Sequence, residues 1–316
     1  MEGILGPYYA NGMVLVMWGA LLAHLALPIP RLSHPIEWWR RFALLLSAKV
    51  NSHNPQQAAL AGSLAMALML LPTALLLIAL NTLSWQSELF QLGLLILALD
   101  WRNSDGLVRE LTQAMADEDK FRARALLAPW VNRQTDSLSM LGLGKAGAET
   151  YLMAMGRGVI GVLFWFSLLG GIGAILYRLT IELARVWSPS RQSYSPFGQA
   201  STRLTAALDI IPLRLFSLLI LIGKHPQHNL SLVRQQATSW ALPGPSWLLI
   251  SSAAKYQLAL GGPAIYESRK SLRAKIGGRI APAAIHLSQL RQMMTARTLI
   301  WVALLSLFLL TINQGL

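Results

Sequence analysis

Arg214 is set inside the apolar segment Ile210 to Ile222, where a guanidinium is costly unless it is paired or solvated, so it is a better candidate for chemistry than a surface arginine. Asp209, five residues earlier, is its candidate partner. Arg133, Thr135 and Asp136 form a second polar cluster, which reads on its residues alone as a paired helix-cap charge. Asp136 and Ser137 offer N-cap chemistry to the segment that follows. His34-Pro35-Ile36 with Trp38 and Arg40 reads as a proline turn where a chain leaves a membrane, with tryptophan anchoring at the interface. Gly261-Gly262-Pro263 and Gly277-Gly278 mark two turns flanking a basic stretch, with Tyr266 between them.

Other arrangements exclude chemistry. Gly142 to Gly147 reads GLGKAG, which lacks the spacing that wraps backbone amides around phosphates, and is expected to be a helix break. His225 and His228 are three apart, but Pro226 between them disfavours a helix and no carboxylate lies nearby in sequence, so a solvated loop is expected there. Cysteine is absent, which removes thiolate metal sites, disulfides and cysteine nucleophiles.

The elements that must position these residues are membrane helices. Hydrophobic residues make up 54% of the 316-residue chain and charged residues only 13%, about half the share usual in soluble proteins. Apolar runs predict spans at Met13 to Ile29, Ala58 to Leu80, Leu89 to Leu99, Val159 to Leu176, Ile210 to Ile222 and Leu299 to Ile312. The short third and fifth runs are expected to be tilted, packed inside the bundle or re-entrant. Six crossings sort the cations: segments 30–57, 101–157 and 223–297 hold 22 of the 27 lysines and arginines. The positive-inside tendency then places these three loops in the cytoplasm and both termini outside. The opening MEGILGPYYANG has no basic n-region, which argues against a cleaved signal peptide. Orientation and contact with anionic lipid explain the net charge of +13, and no nucleic-acid partner is expected.

Within the loops, Leu107, Leu111, Ala114 and Met115 recur at helical spacing, and Asp117 to Arg124 is polar and exposed. Ser246 to Leu260, with the single charge Lys255, reads as a helix lying against or dipping into the membrane, or as a buried hinge.

Five blocks resemble the CobD/CbiB family of cobalamin-biosynthesis membrane proteins. Glu149 to Trp165, ETYLMAMGRGVIGVLFW, lines up on the family's E-S-V-A-E-N-T-x-D-G-V-x-A-P-L-F-W, with Glu149, Gly158, Val159 and Leu163-Phe164-Trp165 kept. His34-Pro35-Ile36 with Arg40 resembles H-P-V-x-x-I-G-R. Arg133, Thr135 and Asp136 resemble the R-D-T segment, with Gln134 in place of its Asp. Phe197-Gly198, Arg203-Leu204, Pro212 and Arg214-Leu215 match F-G-x-x-x-x-R-L and P-x-R-L, while Gln257 to Gly262 through Tyr266 resembles L-G-G-P-x-x-Y.

The resemblance implies an all-α, polytopic helical bundle of about six transmembrane or re-entrant helices in one domain, residues 1–316, of the bacterial inner membrane. It implies ATP- and Mg²⁺-dependent amide formation between a corrinoid carboxylate and aminopropanol or its phosphate. Glu149 and Asp136 are then expected to position Mg²⁺ or the amine. His34, Arg133, Thr135, Arg203, Asp209, Arg214, Gly261, Gly262 and Tyr266 are expected to bind substrates. Its partners are the bilayer, the corrinoid and amino-alcohol substrates, and a second copy of the chain or other cobalamin-pathway proteins. Where the family has a second Glu, an Asn, a Thr and an Asp, this chain has Met153, Ala154, Met155 and Arg157; the N-T-L-D segment is replaced by Ile181-Glu182-Leu183-Ala184 and P-N-A-G-W-P-E by Pro243 to Leu249. Losses in separate loops point to altered or absent ligase activity. Leu208 to Leu215 resembles equally the L-D-x-x-P-x-R-L of AmpE proteins, which implies instead a non-catalytic inner-membrane signalling role.

Overall fold

The computed structural model describes residues 6–27, 34–223, 225–267 and 269–313. In chain order the helices are α1 (Gly6–Ala26), α2 (Pro35–Val50), α3 (Pro55–Leu83), α4 (Ser87–Ala98), α5 (Trp101–Ala116), α6 (Lys120–Leu127), α7 (Met140–Met155), α8 (Val162–Val186), α9 (Gln199–Leu221), α10 (Pro226–Gln236), α11 (Pro243–Tyr256) and α12 (Ala284–Asn313). A π-helical turn, Gly156–Gly161, joins α7 to α8. Between α11 and α12 lie the strands β1 (Ala259–Gly261), β2 (Ala264–Tyr266), β3 (Arg269–Ser271) and β4 (Lys275–Gly277). β1 pairs antiparallel with β4, and β2 with β3. Together the two pairs form a narrow arm.

The fold is an all-α helical bundle in which four helices are long and apolar enough to cross a membrane: Pro55–Leu83, Met140–Val186, Gln199–Leu221 and Ala284–Ile312. They carry four of the six predicted spans. At 1.5 Å per residue, the 29 residues of α3 reach about 43 Å, against a hydrocarbon core of about 30 Å. The other two predicted spans are also helical but shorter. α4 has 12 residues, about 18 Å, and the apolar part of α1 runs from Gly12 to Ala26. The predicted end of the first span at Ile29 and the extreme termini lie outside the described residues.

Two compact units are present, the first drawn from residues 1–99, 157–205 and 300–316, the second from 100–156 and 206–299. In the first, Ala43, Ala58, Ala65, Met69, Leu183, Val186, Trp187 and Phe197 form a core. The Trp187 indole N–H donates to the Ala43 carbonyl at 3.0 Å, and the ring meets Phe197 edge-on at 5.2 Å. A side chain at Gly62 would overlap the Phe197 carbonyl, and one at Gly198 the Trp187 carbonyl. The Phe197-Gly198 motif is therefore a packing device.

In the second unit, α5 buries Leu107, Leu111, Ala114 and Met115 as their spacing predicts. The GLGKAG stretch does not break a helix. It lies inside α7, where Gly144 and Gly147 lack the Cβ that would overlap the Pro282 carbonyl and Leu111. The N-cap of α7 is Ser139, whose hydroxyl accepts from the Gly142 N–H at 3.3 Å; Asp136 and Ser137 are exposed and do not cap. Pro226 starts α10, because a first-turn proline loses no helical hydrogen bond, so His228 is helical and not in a loop. The predicted helix from Ser246 ends at Tyr256: Gln257 takes a left-handed conformation (φ 54°), and β1 follows.

Candidate functional site

Glu149 sits on α7 in the second unit with only 7% of its surface exposed, a position no ionised carboxylate holds without partners. Three reach it from distant parts of the sequence. The Gly261 backbone N–H donates to Oε1 at 2.7 Å, and the Arg273 guanidinium donates to Oε2 at 3.0 Å. Arg133 approaches Oε2 at 3.5 Å.

Local structure explains how each partner arrives. Gly261 has φ 73°, a region open to glycine, and a Cβ there would overlap the Ala274 carbonyl. That backbone turn aims the amide at Glu149. At Gly262 (φ 92°) the surrounding space is open, so the conformation alone asks for glycine. Arg273 is steered by its Nε–H, which donates to the Gly262 carbonyl at 3.1 Å, and by Trp240, whose ring lies 5.4 Å from the guanidinium. One of its terminal nitrogens is buried without a hydrogen-bond acceptor. The Arg133 loop is fastened to the arm by the Gln134 N–H, which donates to the Ile265 carbonyl at 2.9 Å. Gln236 holds the base of the arm. Its amide oxygen accepts from the Gly277 N–H at 2.7 Å and its amide nitrogen donates to the Gly277 carbonyl at 3.3 Å.

Two guanidiniums share one carboxylate, so the cluster carries one surplus positive charge in an enclosed setting. Burial pushes the Arg133 pKa down, the Glu149 charge opposes that shift, and Arg273 adds to it. Tyr266, half-buried on β2, is close enough to bear on the same group. Such an arrangement suits an oxyanion, carboxylate or phosphate, which would complete the second guanidinium. It does not suit a divalent metal ion. Both oxygens of Glu149 are taken by cations or an N–H, Asp136 is exposed and does not join it, and among the described residues no three metal-ligating side chains converge.

Residues 17–295 match the family model described as CobD/Cbib protein. The chain belongs to the CobD/CbiB family. It is 30% identical over 287 residues to the cobalamin biosynthesis protein CobD of Stutzerimonas stutzeri, covering 91% of this chain and 95% of that one. It is also 30% identical over 245 residues to the protein of that name from Chromobacterium violaceum, covering 78% of each. A probable CobD of Thermococcus kodakarensis is 29% identical over 197 residues, 61% of this chain and 64% of that one. No solved structure matches the chain significantly.

Three CobD/CbiB-like blocks thus meet in the second unit: Glu149, the Arg133 loop and the Gly261-Gly262 turn. Thr135 is buried beside Arg133, and its carbonyl accepts from the Leu138 N–H at 3.0 Å, a structural role. Asp209 is fully buried beneath the start of α11, where a Cβ on Gly244 would lie 2.6 Å from the Asp209 carbonyl. Arg214 is exposed, its guanidinium 5.4 Å from the Trp247 ring centre. Among the described residues no acid forms an ion pair with it, and the Trp247 ring is its aromatic neighbour.

His34 and Arg203 belong to the first unit. His34 caps α2, its Nδ1 accepting from the Ile36 N–H at 3.3 Å, and Arg203 is exposed on α9. Sequence reading missed Arg273 and Trp240, and it missed a second buried acid. Glu182 accepts from Arg40 at 2.7 Å and lies 3.0 Å from Arg178. Its signal was present: Arg178 and Glu182 stand four apart in an apolar helix, where an unpaired charge is costly. Burial works to lower the Arg40 pKa, but the hydrogen bond and charge of Glu182 outweigh it and leave the value raised.

Proposed function

We propose that this chain is an amide-forming ligase of cobalamin biosynthesis that joins aminopropanol or its phosphate to the carboxylate of adenosylcobyric acid, with ATP as co-substrate. The supporting observation is the buried Glu149, held by Arg133, Arg273 and the Gly261 N–H. In this reading the two guanidiniums hold anionic oxygens of the reactants, and Glu149 orients the amine as those anions draw the arginines away from it. A resident Mg²⁺ is not part of the proposal, because the donor set does not fit one. The reaction is assigned to the cytoplasmic face of the bacterial inner membrane, with the basic loops inside and the termini outside. The matched relatives reported above carry the CobD name and give the AmpE-like reading no support.

Complementation tests the proposal. In a bacterial strain deleted for its own CobD/CbiB protein and fed cobyric acid, the gene for this chain should restore cobalamin-dependent growth. A protein found in the membrane in full length that restores no growth, and yields no corrinoid amide in extracts, overturns the assignment.

A further inference from the structure

The end of α9 carries an arrangement unrelated to Glu149. Lys255, near the end of α11, donates to the Ile220 carbonyl at 3.2 Å and to the Ile222 carbonyl at 3.4 Å. Arg297 on α12 donates to that same Ile222 carbonyl at 2.6 Å. Two cations therefore share one acceptor, and among the described residues neither has an acidic partner. Their mutual repulsion is felt: burial lowers the Lys255 pKa and the Arg297 charge lowers it further. Helix carbonyls with a partial negative charge account for part of this convergence. They do not neutralise two full charges.

Gly223 lies beside both cations. Gly223 has φ 135°, and a Cβ on it would lie 3.5 Å from the Lys255 Nζ and 3.8 Å from an Arg297 guanidinium nitrogen. Along the chain the cations are flanked by apolar side chains that are open to the outside: Leu218, Ile222 and Leu299 are 45%, 59% and 50% exposed. α9 ends at Leu221, and the uncharged stretch of α12 begins just after Arg297, so both apolar helices reach the polar boundary at this level. A small anion would have no use for the exposed apolar side chains around it. An anion attached to acyl chains would.

We infer that Lys255 and Arg297 form a binding site for the phosphate of an anionic phospholipid, whose acyl chains lie along Leu218, Ile222 and Leu299. The site is independent of the proposed ligase activity. Native mass spectrometry of the full-length chain in mild detergent, titrated with phosphatidylglycerol, phosphatidylcholine of matched chains, or soluble glycerol phosphate, tests it. The wild type should prefer phosphatidylglycerol to phosphatidylcholine by about tenfold or more, and the Lys255→Gln/Arg297→Gln variant should lose that preference while keeping the wild-type circular-dichroism spectrum. A folded double variant with unchanged preference overturns the proposal and leaves the pair as a helix cap. Displacement of the lipid by equimolar glycerol phosphate also overturns it, in favour of a soluble anion. If the double variant does not fold, Lys255→Gln alone keeps Arg297 on the Ile222 carbonyl. That variant should weaken the preference about fivefold, and no change counts equally against the site.

Discussion

Glu182 in the first unit and Glu149 in the second are both buried carboxylates held by two arginines, yet they are built from different materials. Glu182 is 1% exposed and is gripped by Arg178 from its own helix and by Arg40 from α2, two rigid elements. Glu149 is gripped by a loop arginine, by an arginine on the strand arm, and by the amide of a glycine turn 112 residues away in sequence. The first arrangement has its charges locked by helix geometry and works as a strut. In the second, the partners ride on segments of irregular backbone, and one guanidinium nitrogen is left over. The same three charges are thus mounted on helices in one place and on irregular segments in the other, and what differs is the stiffness of the supports.

The contrast can be broken most sharply at Glu182. Replacing it with alanine takes the shared carboxylate from the buried Arg178 and from the part-exposed Arg40, which keeps Glu37 at 3.4 Å, and should cost about 3 kcal/mol, read as a lowered thermal melting temperature or loss of folded protein from membranes. A normal melting temperature with lost activity would make Glu182 the reactive acid instead. Glu149→Gln should be read first in activity. Its amide oxygen still accepts from Gly261, but Arg133 and Arg273 lose their counter-charge, so the melting transition should fall as well, by about 3 kcal/mol, and corrinoid amidation should drop by about a hundredfold or more. Gly261→Ala forces a side chain into the Ala274 carbonyl at a left-handed φ and should cost about 1–3 kcal/mol; faster limited proteolysis within 259–277 is the readout. Arg273→Lys keeps the charge and loses the fork, and should raise the KM for the anionic substrate about tenfold with a smaller change in kcat. The smallest effect is expected at Gln236→Ala, about 1 kcal/mol in the melting transition.

Periodicity made the helices legible, because a buried helical face writes itself into the sequence every three to four residues. Leu107, Leu111, Ala114 and Met115 are the clear case. The arm was not legible, since three-residue strands are too short to show an alternation, and Arg273 could not be separated from the other cations around it. Glycines were misread where they serve packing. Gly144 and Gly147 look like a break in one dimension, but in three they let a helix approach its neighbours closely. Glu149 was found through its resemblance to a family block, whereas its two arginines had to be seen converging. Asp136 was overvalued for the same reason in reverse, as an acid in a familiar block that points to solvent.

The Gln236 clasp and the Glu149 cluster fasten the arm in different ways. At its root a neutral amide trades a donor and an acceptor with Gly277, and no incoming ion competes for that pair. Where β1 meets β4 the latch is ionic, and a guanidinium can exchange one carboxylate for another or for a phosphate. An anion that drew Arg273 from Glu149 would leave the arm held by Gln236 at Gly277, by the Gln134 N–H on the Ile265 carbonyl and by the Gly261 N–H on Glu149.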